Sequence, residues 1–308
     1  MRKHLLTACA TALCLTAPTL AHATEIGVAM AMFDDTFMTN IRQAMSEYAG
    51  SLKDVNLQFE DAQADIGRQI NQVQNFIAQG VDAIIVNPAD TAATRAITDM
   101  VAASGIPLVY VNRAPDQKKL SEKVVVVVSD DLVAGRLEME ALAKCMGGKG
   151  KVAIMMGELA SNATQGRTAG NKEVIEKTPG VTIVEEQTAN YQRNQAINLM
   201  TNWIVSGEKI DAVSANNDEM AIGAIVAMQQ AGISPDKVCV GGVDATTNAL
   251  DYMEQGLLDV TVFQDAKGQG RRAVDAAVKL AKGEPVEQYQ MIPYELVTPE
   301  NMAEYRNR

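Results

Sequence analysis

Histidine is almost missing from this 308-residue chain, which contains only His4 and His22. Both lie in the first 23 residues, so no histidine occurs from residue 24 onward. That part of the chain therefore cannot use Ser-His-Asp or Cys-His nucleophilic catalysis, or bind zinc through histidine. Chemistry based on carboxylates or lysine stays open, but we expect no enzyme and no catalytic residues.

Cysteine is nearly as scarce, with four residues in the chain. Cys9 and Cys14 belong to the first 23 residues, which leaves Cys145 and Cys239. Cys145 stands near the end of a predicted helix, and Cys239 lies inside an apolar strand pattern. An oxidising compartment would permit a bridge, but disulfide geometry is strict. We therefore expect two separate core cysteines.

Nucleotide and metal motifs are also absent from the sequence. Gly241-Gly242 and Gly268-Gln269-Gly270 lack the spacing of a phosphate-binding loop. No group of acidic residues has the spacing of a calcium loop. We expect neither a cofactor nor a metal.

The first 23 residues have the three parts of a secretory signal peptide. Arg2 and Lys3 form a basic start, an apolar run follows over 5–20, and Ala21-His22-Ala23 ends the segment. The run is too short and too interrupted for a stable membrane span. We predict cleavage after Ala23 and a soluble periplasmic product; a buried amino-terminal helix is the alternative.

Negative charge dominates the chain beyond the signal. Removing residues 1–23 leaves 285 residues with 25 basic and 38 acidic side chains, a net charge of −13. An acidic surface repels nucleic acid and anionic membranes, so neither is an expected partner. The length is sufficient for two domains of ordinary size.

Strand and helix patterns alternate from residue 25 onward. Ile66, Ile70, Val73 and Ile77 lie on one face of an amphipathic helix, whereas 83–86 is a continuous apolar run typical of a buried parallel strand. The alternation occurs in two series, each with an apolar strand that ends in asparagine before an acidic residue and a helix. We predict an α/β fold with two doubly wound parallel sheets.

Polar residues follow the predicted strands at the edge where open parallel sheets bind ligands. Carboxylates accept hydrogen bonds from hydroxyls, arginines donate them, amides do both, and aromatic rings cover C–H faces, so the set suits a polyol. The acids and amides could instead be helix caps, the arginines surface ion pairs, and the aromatics core residues. The candidates are Asp34, Asp35, Asn87, Asp90, Asn112, Arg113, Arg167, Asn216, Asn217, Asp218, Asp244 and Gln264, with Phe33, Phe37 and Tyr191.

Four segments together resemble the ribose-type periplasmic sugar-binding proteins of ABC transporters. They are Asn87-Pro88-Ala89-Asp90, Val111-Asn112-Arg113, Asn216-Asn217-Asp218-Glu219-Met220-Ala221 and Gly242-Val243-Asp244. The resemblance implies a type I binding protein, in which two lobes joined by three crossovers close on a ligand by hinge bending. It implies one lobe of 24–128 plus 265–292 and another of 129–264 plus 293–308.

The resemblance also implies ligand-binding roles for ten positions. The two arginines would donate to hydroxyls, and Phe37 and Tyr191 would supply the aromatic surfaces. The ten residues are Asp35, Phe37, Asn87, Asn112, Arg113, Arg167, Tyr191, Asn217, Asp244 and Gln264.

Three positions depart from the pentose-binding pattern. Asp35 stands where an amide is usual, Asn112 where a carboxylate is usual, and Met38 where a second aromatic is usual. A cyclitol has a hydroxyl on every ring carbon, so the extra acceptor at Asp35 makes chemical sense. The segments that resemble the inositol- and rhizopine-binding branch are 33–37, 110–113, 188–191 and 292–299.

We therefore predict a binding protein that passes a neutral cyclitol, such as myo-inositol or rhizopine, to an ABC transporter permease in the inner membrane. Asp35 and Asp244 set against Arg113 and Arg167 predict a charge-balanced pocket, which favours a neutral ligand. A sugar such as ribose is the first alternative, and a carbohydrate enzyme that uses carboxylates or the sensing domain of a repressor are more distant ones. We expect a monomer, and a chemoreceptor is a further candidate partner.

Overall fold

A computed structural model describes residues 23–234 and 237–308. Residues 1–22, which include Cys9, Cys14, both histidines and all of the predicted signal segment except Ala23, therefore lie outside the described residues. No helix in the described part of the chain is long and apolar enough to cross a membrane. In chain order the elements are β1 (Thr24–Met30), α1 (Thr36–Ser51), β2 (Val55–Asp61), α2 (Ile66–Gln79), β3 (Ala83–Val86), α3 (Thr94–Ser104), β4 (Leu108–Asn112), β5 (Val124–Val128), α4 (Asp131–Cys145), β6 (Gly150–Met156), α5 (Asn162–Glu176), β7 (Val181–Thr188), α6 (Arg193–Ser206), β8 (Ala212–Ala215), α7 (Asp218–Gln230), β9 (Cys239–Gly241), α8 (Thr247–Glu254), β10 (Thr261–Phe263), α9 (Ala266–Ala281), β11 (Tyr289–Met291) and β12 (Glu295–Val297), followed by a 3₁₀ turn (Met302–Glu304).

The first sheet has the strand order β11-β5-β4-β3-β1-β2, and its pairings are parallel. The strands β3, β4 and β5 are buried on both faces, which explains why each is a continuous apolar run. One face packs against α1 and α9 through residues such as Ile41 and Val274. The other face packs against α2 and α3 through Phe76 and Ile97.

The second sheet has the order β7-β6-β8-β9, again with parallel pairings. Met139 of α4 and Val174 of α5 cover one face, and Trp203 of α6 and Met220 of α7 cover the other. An antiparallel pair, β10 with β12, extends this sheet through isolated bridges beside β9. Each sheet thus has helices on both faces, which confirms the predicted α/β class with two doubly wound layers.

The chain passes between the two sheets three times. The passages lie between β5 and α4, between β10 and α9, and between β11 and β12. We call them the first, second and third connections, which cover 129–130, 264–265 and 292–294. The division into lobes at these connections, 24–128 plus 265–292 and 129–264 plus 293–308, remains our proposal.

Local sequence signals mark the ends of helices such as α2. The helix α2 begins after its N-cap Asp65 and ends at Gly80, whose φ of 71° suits glycine at a helix terminus. The helix α3 begins at Thr94 and does not include Thr91. Thr91 instead lies in a turn where its backbone N–H and its hydroxyl both donate to the oxygen of Ala160.

The expectation of two separate core cysteines is wrong, because Cys145 and Cys239 form a disulfide. Cys145 ends α4 and is exposed, and Cys239 begins β9 and is half-buried. The two Cα atoms lie 6.3 Å apart although 94 residues separate them in the chain. The packing of α4 against β9 brings them together, and no local pattern reports that packing.

Candidate functional site

The strand ends of both sheets face one another across a cleft, and a small inner cavity lies at its centre. The structure brings nine of the ten predicted residues around this cavity and leaves out Asn87. Met38 and Ala163 complete the lining. The nine residues are Asp35, Phe37, Asn112, Arg113, Arg167, Tyr191, Asn217, Asp244 and Gln264.

The start of α1 supplies one wall of the cavity. Asp35 is the N-cap of this helix, and its Oδ1 accepts a hydrogen bond of 2.8 Å from the backbone N–H of Met38. Phe37 and Met38 are both buried in the first turn. Burial raises the pKa of Asp35, while the hydrogen bond from Met38 and the charge of Arg113 act in the opposite direction. Asp35 is thus both a helix cap and a pocket carboxylate.

Asn87 lies behind the cavity and supports Asn112. It is fully buried, its Oδ1 accepts from the N–H of Ala31 at 3.3 Å, and its Nδ2 donates to Asn112 Oδ1 at 3.3 Å. Asn112 has a φ of 66° and donates from Nδ2 to Gln269 Oε1 at 3.3 Å. Asn87 therefore fixes the carboxyl ends of neighbouring strands, while Asn112 faces the cavity.

Arg113 reaches from the first sheet to the second. Its Nη1 donates to the backbone oxygen of Pro88 at 3.1 Å, and its Nη2 donates to Glu158 Oε2 at 3.0 Å. Glu158 follows β6, so this ion pair crosses the cleft. Sequence reasoning missed Glu158, although it occupies the same strand-end position that singled out the other candidates.

Arg167 is 4% exposed and is held by four protein acceptors. Its Nε donates to Asp131 Oδ1 at 3.2 Å, and its Nη2 donates to Gln264 Oε1 at 2.9 Å and to the Tyr294 hydroxyl at 3.0 Å. Its Nη1 donates to the backbone oxygen of Asn216. Sequence reasoning missed Asp131 and Tyr294, because nothing local connects them with residue 167.

The aromatic wall of the second lobe depends on a glycine. A Cβ at Gly157 would overlap the ring of Tyr191, so only glycine admits the ring at this position. The Tyr191 hydroxyl shares a hydrogen bond of 2.7 Å with Thr164. The backbone oxygen of Tyr191 accepts a hydrogen bond of 3.3 Å from Asn217 Nδ2. Asn217 also caps α7 by accepting from Met220, so its two proposed roles coexist.

Asp244 has an unusual backbone conformation, and the carboxylate of Asp218 holds the loop that follows it. The φ of Asp244 is 121°, which is unusual for a residue with a side chain. Asp218 is fully buried and accepts 2.7 Å hydrogen bonds from the N–H of Thr246 and from the hydroxyl of Thr261, so it anchors the loop just after Asp244. Burial raises the pKa of Asp244 well above its usual value, although Arg167 acts in the opposite direction.

Of the remaining candidates, some lie outside the inner cavity. The side-chain oxygen of Asn216 accepts from the N–H of Gly157 at 3.1 Å, so it is structural. Asp90 accepts from the N–H of Ala92 in a turn. Asp34 lines an outer cavity at the mouth of the cleft.

The four residues of the predicted charge balance, Asp35, Asp244, Arg113 and Arg167, all line the inner cavity. Each arginine already has its own carboxylate, since Glu158 pairs with Arg113 and Asp131 pairs with Arg167. Asp244 approaches Arg167 only to 3.8 Å. Neither Glu158 nor Asp131 lines the inner cavity, so the balance of two acids and two bases in its lining remains a prediction in favour of a neutral ligand.

Comparison with known proteins decides the family. A family model described as a periplasmic binding protein domain matches residues 26–285. The chain belongs to the periplasmic binding protein family. This confirms the resemblance found in the sequence, and it makes the chain a member of a family of periplasmic solute-binding proteins and not of enzymes.

Individual periplasmic binding proteins resemble the chain over nearly its full length. A protein of Rhizobium meliloti named for rhizopine binding is 52% identical over 293 residues, which cover 94% of this chain and 95% of that protein. A solute-binding protein of an ABC transporter from Bacillus halodurans, solved with bound myo-inositol, is 47% identical with a TM-score of 0.88 and covers 93% of this chain and 98% of that one. The Caulobacter myo-inositol binding protein, also solved with myo-inositol, is 28% identical with a TM-score of 0.85 and covers 91% of this chain and 95% of that one.

Proposed function

We propose that this protein binds a cyclitol, myo-inositol or a related compound such as rhizopine, in the cleft and delivers it to an ABC importer. The observation that carries the proposal is the inner cavity, where carboxylates, amides and aromatic rings from both lobes meet. The 47% identity to a protein solved with myo-inositol supports the same ligand class. The protein itself catalyses no reaction.

The lining supplies the contacts that a ring with six hydroxyls requires. Asp35 and Asp244 accept hydrogen bonds from hydroxyls, and Asn217 offers an amide from the opposite side. Phe37 and Tyr191 lie on opposite lobes, so their rings can cover the C–H faces of a ligand between them. Contacts from both lobes form together only in a closed cleft, so the ligand favours closure.

Two exchanged residues favour a cyclitol over ribose. In the pentose pattern an amide stands at the position of Asp35 and a carboxylate at that of Asn112, so the two groups are exchanged here. Met38 takes the place of the second aromatic residue. A cyclitol has no ring oxygen and more hydroxyl donors than a pentose, which matches the additional acceptor in α1. Ribose should therefore leave polar groups of the pocket without partners.

The cellular setting belongs to the same proposal. We propose removal of the signal peptide after Ala23, action as a monomer in the periplasm, and docking to a permease in the inner membrane, with a chemoreceptor as a further candidate partner. The disulfide between Cys145 and Cys239 supports an oxidising compartment, because such bonds persist there and are rare in the cytosol.

Calorimetry with a panel of cyclitols and sugars tests this function. We expect myo-inositol or a close relative to bind with a Kd of about 1 μM, about −8 kcal/mol. Ribose should bind far more weakly, and the ligand should be recovered unchanged after incubation. Tight binding of ribose without binding of any cyclitol would overturn the assignment, and conversion of the ligand would indicate an enzyme.

A reciprocal exchange sharpens the test. The variant with Asp35→Asn and Asn112→Asp restores the pentose pattern while keeping the number of charges in the pocket. The asparagine at 35 retains an Oδ1 that can cap α1. We expect cyclitol affinity to fall and the preference for cyclitol over ribose to narrow; an unchanged preference would show that other residues set it.

A further inference from the structure

The guanidinium of Arg167 bonds to a side chain in, or directly after, each of the three connections. Asp131 begins α4 directly after the first connection, Gln264 lies in the second, and Tyr294 ends the third. All three accept hydrogen bonds from this one group, at 3.2, 2.9 and 3.0 Å. A residue that lines the ligand cavity is therefore tied directly to the segments about which the lobes would move.

The partners of Arg167 are not equally free to move. The helices α4 and α5 pack so closely that a Cβ at Gly135 would clash with the backbone oxygen of Arg167. Asp131 and Arg167 therefore move as one body within the second lobe. Gln264 and Tyr294 lie at the edge of the same lobe, within the second and third connections, so bending at those connections acts on the guanidinium through them.

Tyr294 connects the two members of that rigid body. Its hydroxyl accepts from Arg167 and donates to Asp131 Oδ1 at 2.7 Å. The side chain is buried, yet it does not line the inner cavity. It can therefore orient Arg167 without touching a ligand.

One N–H of Arg167 remains for a ligand. A guanidinium has five N–H donors, and acceptors in the described residues occupy four of them. The fifth is on Nη1, where Asp244 lies 3.8 Å away and the distance is too long for a hydrogen bond. The direction of this last donor depends on the four bonds that hold the group.

We propose that Tyr294 and Asp131 are positioning residues, which couple bending of the connections to the direction of the Arg167 guanidinium. A ligand hydroxyl that accepts from the free N–H then holds the guanidinium in place, and the guanidinium holds the connections in the closed arrangement. The coupling slows reopening of the loaded protein. This inference rests on the proposed binding of a cyclitol.

The test compares two tyrosines of the second lobe. Tyr294→Phe removes the hydroxyl that bonds to Arg167 and keeps the ring, whereas Tyr305→Phe removes a hydroxyl that donates to Glu295 of β12 at 3.0 Å and does not bond to Arg167. Stopped-flow mixing with myo-inositol gives the association and dissociation rates, and small-angle scattering gives compaction at saturating ligand. We expect Tyr294→Phe to raise the dissociation rate about tenfold, the effect of losing one hydrogen bond to a charged group, and Tyr305→Phe to leave it unchanged.

The outcomes separate this inference from the proposed function. If Tyr294→Phe dissociates and compacts like Tyr305→Phe while the wild type binds, the coupling is absent and this inference alone fails. If the wild type binds no cyclitol, the proposed function fails as well. Should Tyr294→Phe not fold, Asp131→Asn keeps the Oδ1 acceptor without its charge, and the same faster dissociation is expected; an unchanged rate overturns the inference.

Discussion

Arg113 Nη2 and Glu158 Oε2 lie 3.0 Å apart and join the first lobe to the second across the mouth of the cleft. Their side chains are 8% and 16% exposed, so water screens the pair only weakly. A second contact, of 3.1 Å from the Thr36 hydroxyl to Glu219 Oε1, also crosses the cleft. Both contacts require the lobes to be close together, so both stabilise the closed arrangement.

Glu158→Gln should weaken ligand binding by destabilising the closed form. A partly exposed ion pair contributes about 1 kcal/mol, so we expect the Kd for myo-inositol to rise about fivefold. Calorimetry measures the change. The matched control is Glu173→Gln, which breaks a surface pair with Arg136 inside the second lobe and should leave the Kd unaltered. An equal Kd for both variants would show that the Arg113 pair does not contribute to closure.

Addition of a cyclitol should compact the protein. Ligand contacts with both lobes shift the open–closed equilibrium only as far as the ligand prefers the closed form. We expect a smaller radius of gyration in solution scattering at saturating myo-inositol. Replacing Asp244 and Asn217 together by alanine should abolish the change, because the second lobe then loses two of its contacts with the ligand.

The closure experiment needs a check on folding, since Asn217 caps α7 and its loss costs about 1 kcal/mol of stability. Circular dichroism of the double variant provides it. A wild-type scattering profile that does not respond to bound ligand would contradict closure as the mechanism.

Glu138 should make stability depend on pH. It is fully buried in α4, accepts from the N–H of Ala215 at 3.0 Å, and burial raises its pKa to about 8. Between its ordinary pKa and that value the folded state holds a proton that the unfolded chain releases. The free energy of unfolding therefore falls as pH rises across this window, by up to ~1.4 kcal/mol per pH unit.

Glu138→Gln imitates the protonated side chain and should remove this loss. Urea unfolding at pH 5, 6, 7 and 8 should show the variant gaining stability relative to wild type as pH rises. Glu140→Gln, at an exposed position of the same helix, is the control and should show no such trend. A constant difference between Glu138→Gln and wild type over this range would contradict the raised pKa.

Loss of the disulfide should destabilise the second lobe. Cys145 and Cys239 enclose a loop of 94 residues, and closing so long a loop typically contributes ~2–4 kcal/mol. Replacing both residues by serine should lower the free energy of unfolding by that amount, and reducing the wild type should have the same effect. Cyclitol affinity should change little, because neither cysteine lines the cavity. A double variant as stable as the oxidised wild type would contradict the prediction.

The spacing of apolar residues along the chain determines much of the fold. The strand β3 has the predicted bounds of 83–86, and α2 contains the predicted apolar face of Ile66, Ile70, Val73 and Ile77. Local bonding explains this agreement, because helix and strand spacing depend on neighbours within a few residues. Strand ends also located most of the pocket, since parallel strands expose their carboxyl ends at one edge.

Contacts between residues that are distant in the chain could not be predicted from the sequence pattern. The sequence placed Arg167 and Asp244 among the pocket residues. It did not reveal that Asp131, 36 residues from Arg167, and Tyr294, 127 residues from it, hold the guanidinium. It also treated Cys145 and Cys239 as unrelated.

The sequence by itself determined the α/β alternation, the acidic charge, the loss of histidine chemistry and the set of polar strand ends, because each depends on composition or on spacing along the chain. Only the tertiary structure decided which carboxylate neutralises which arginine and which cysteines pair. Those choices depend on how α4, α5 and the connections pack, where angstrom-scale displacements make or break a contact. The pocket's residues were therefore readable from the chain, whereas the partners of its arginines and its attachment to the connections were not.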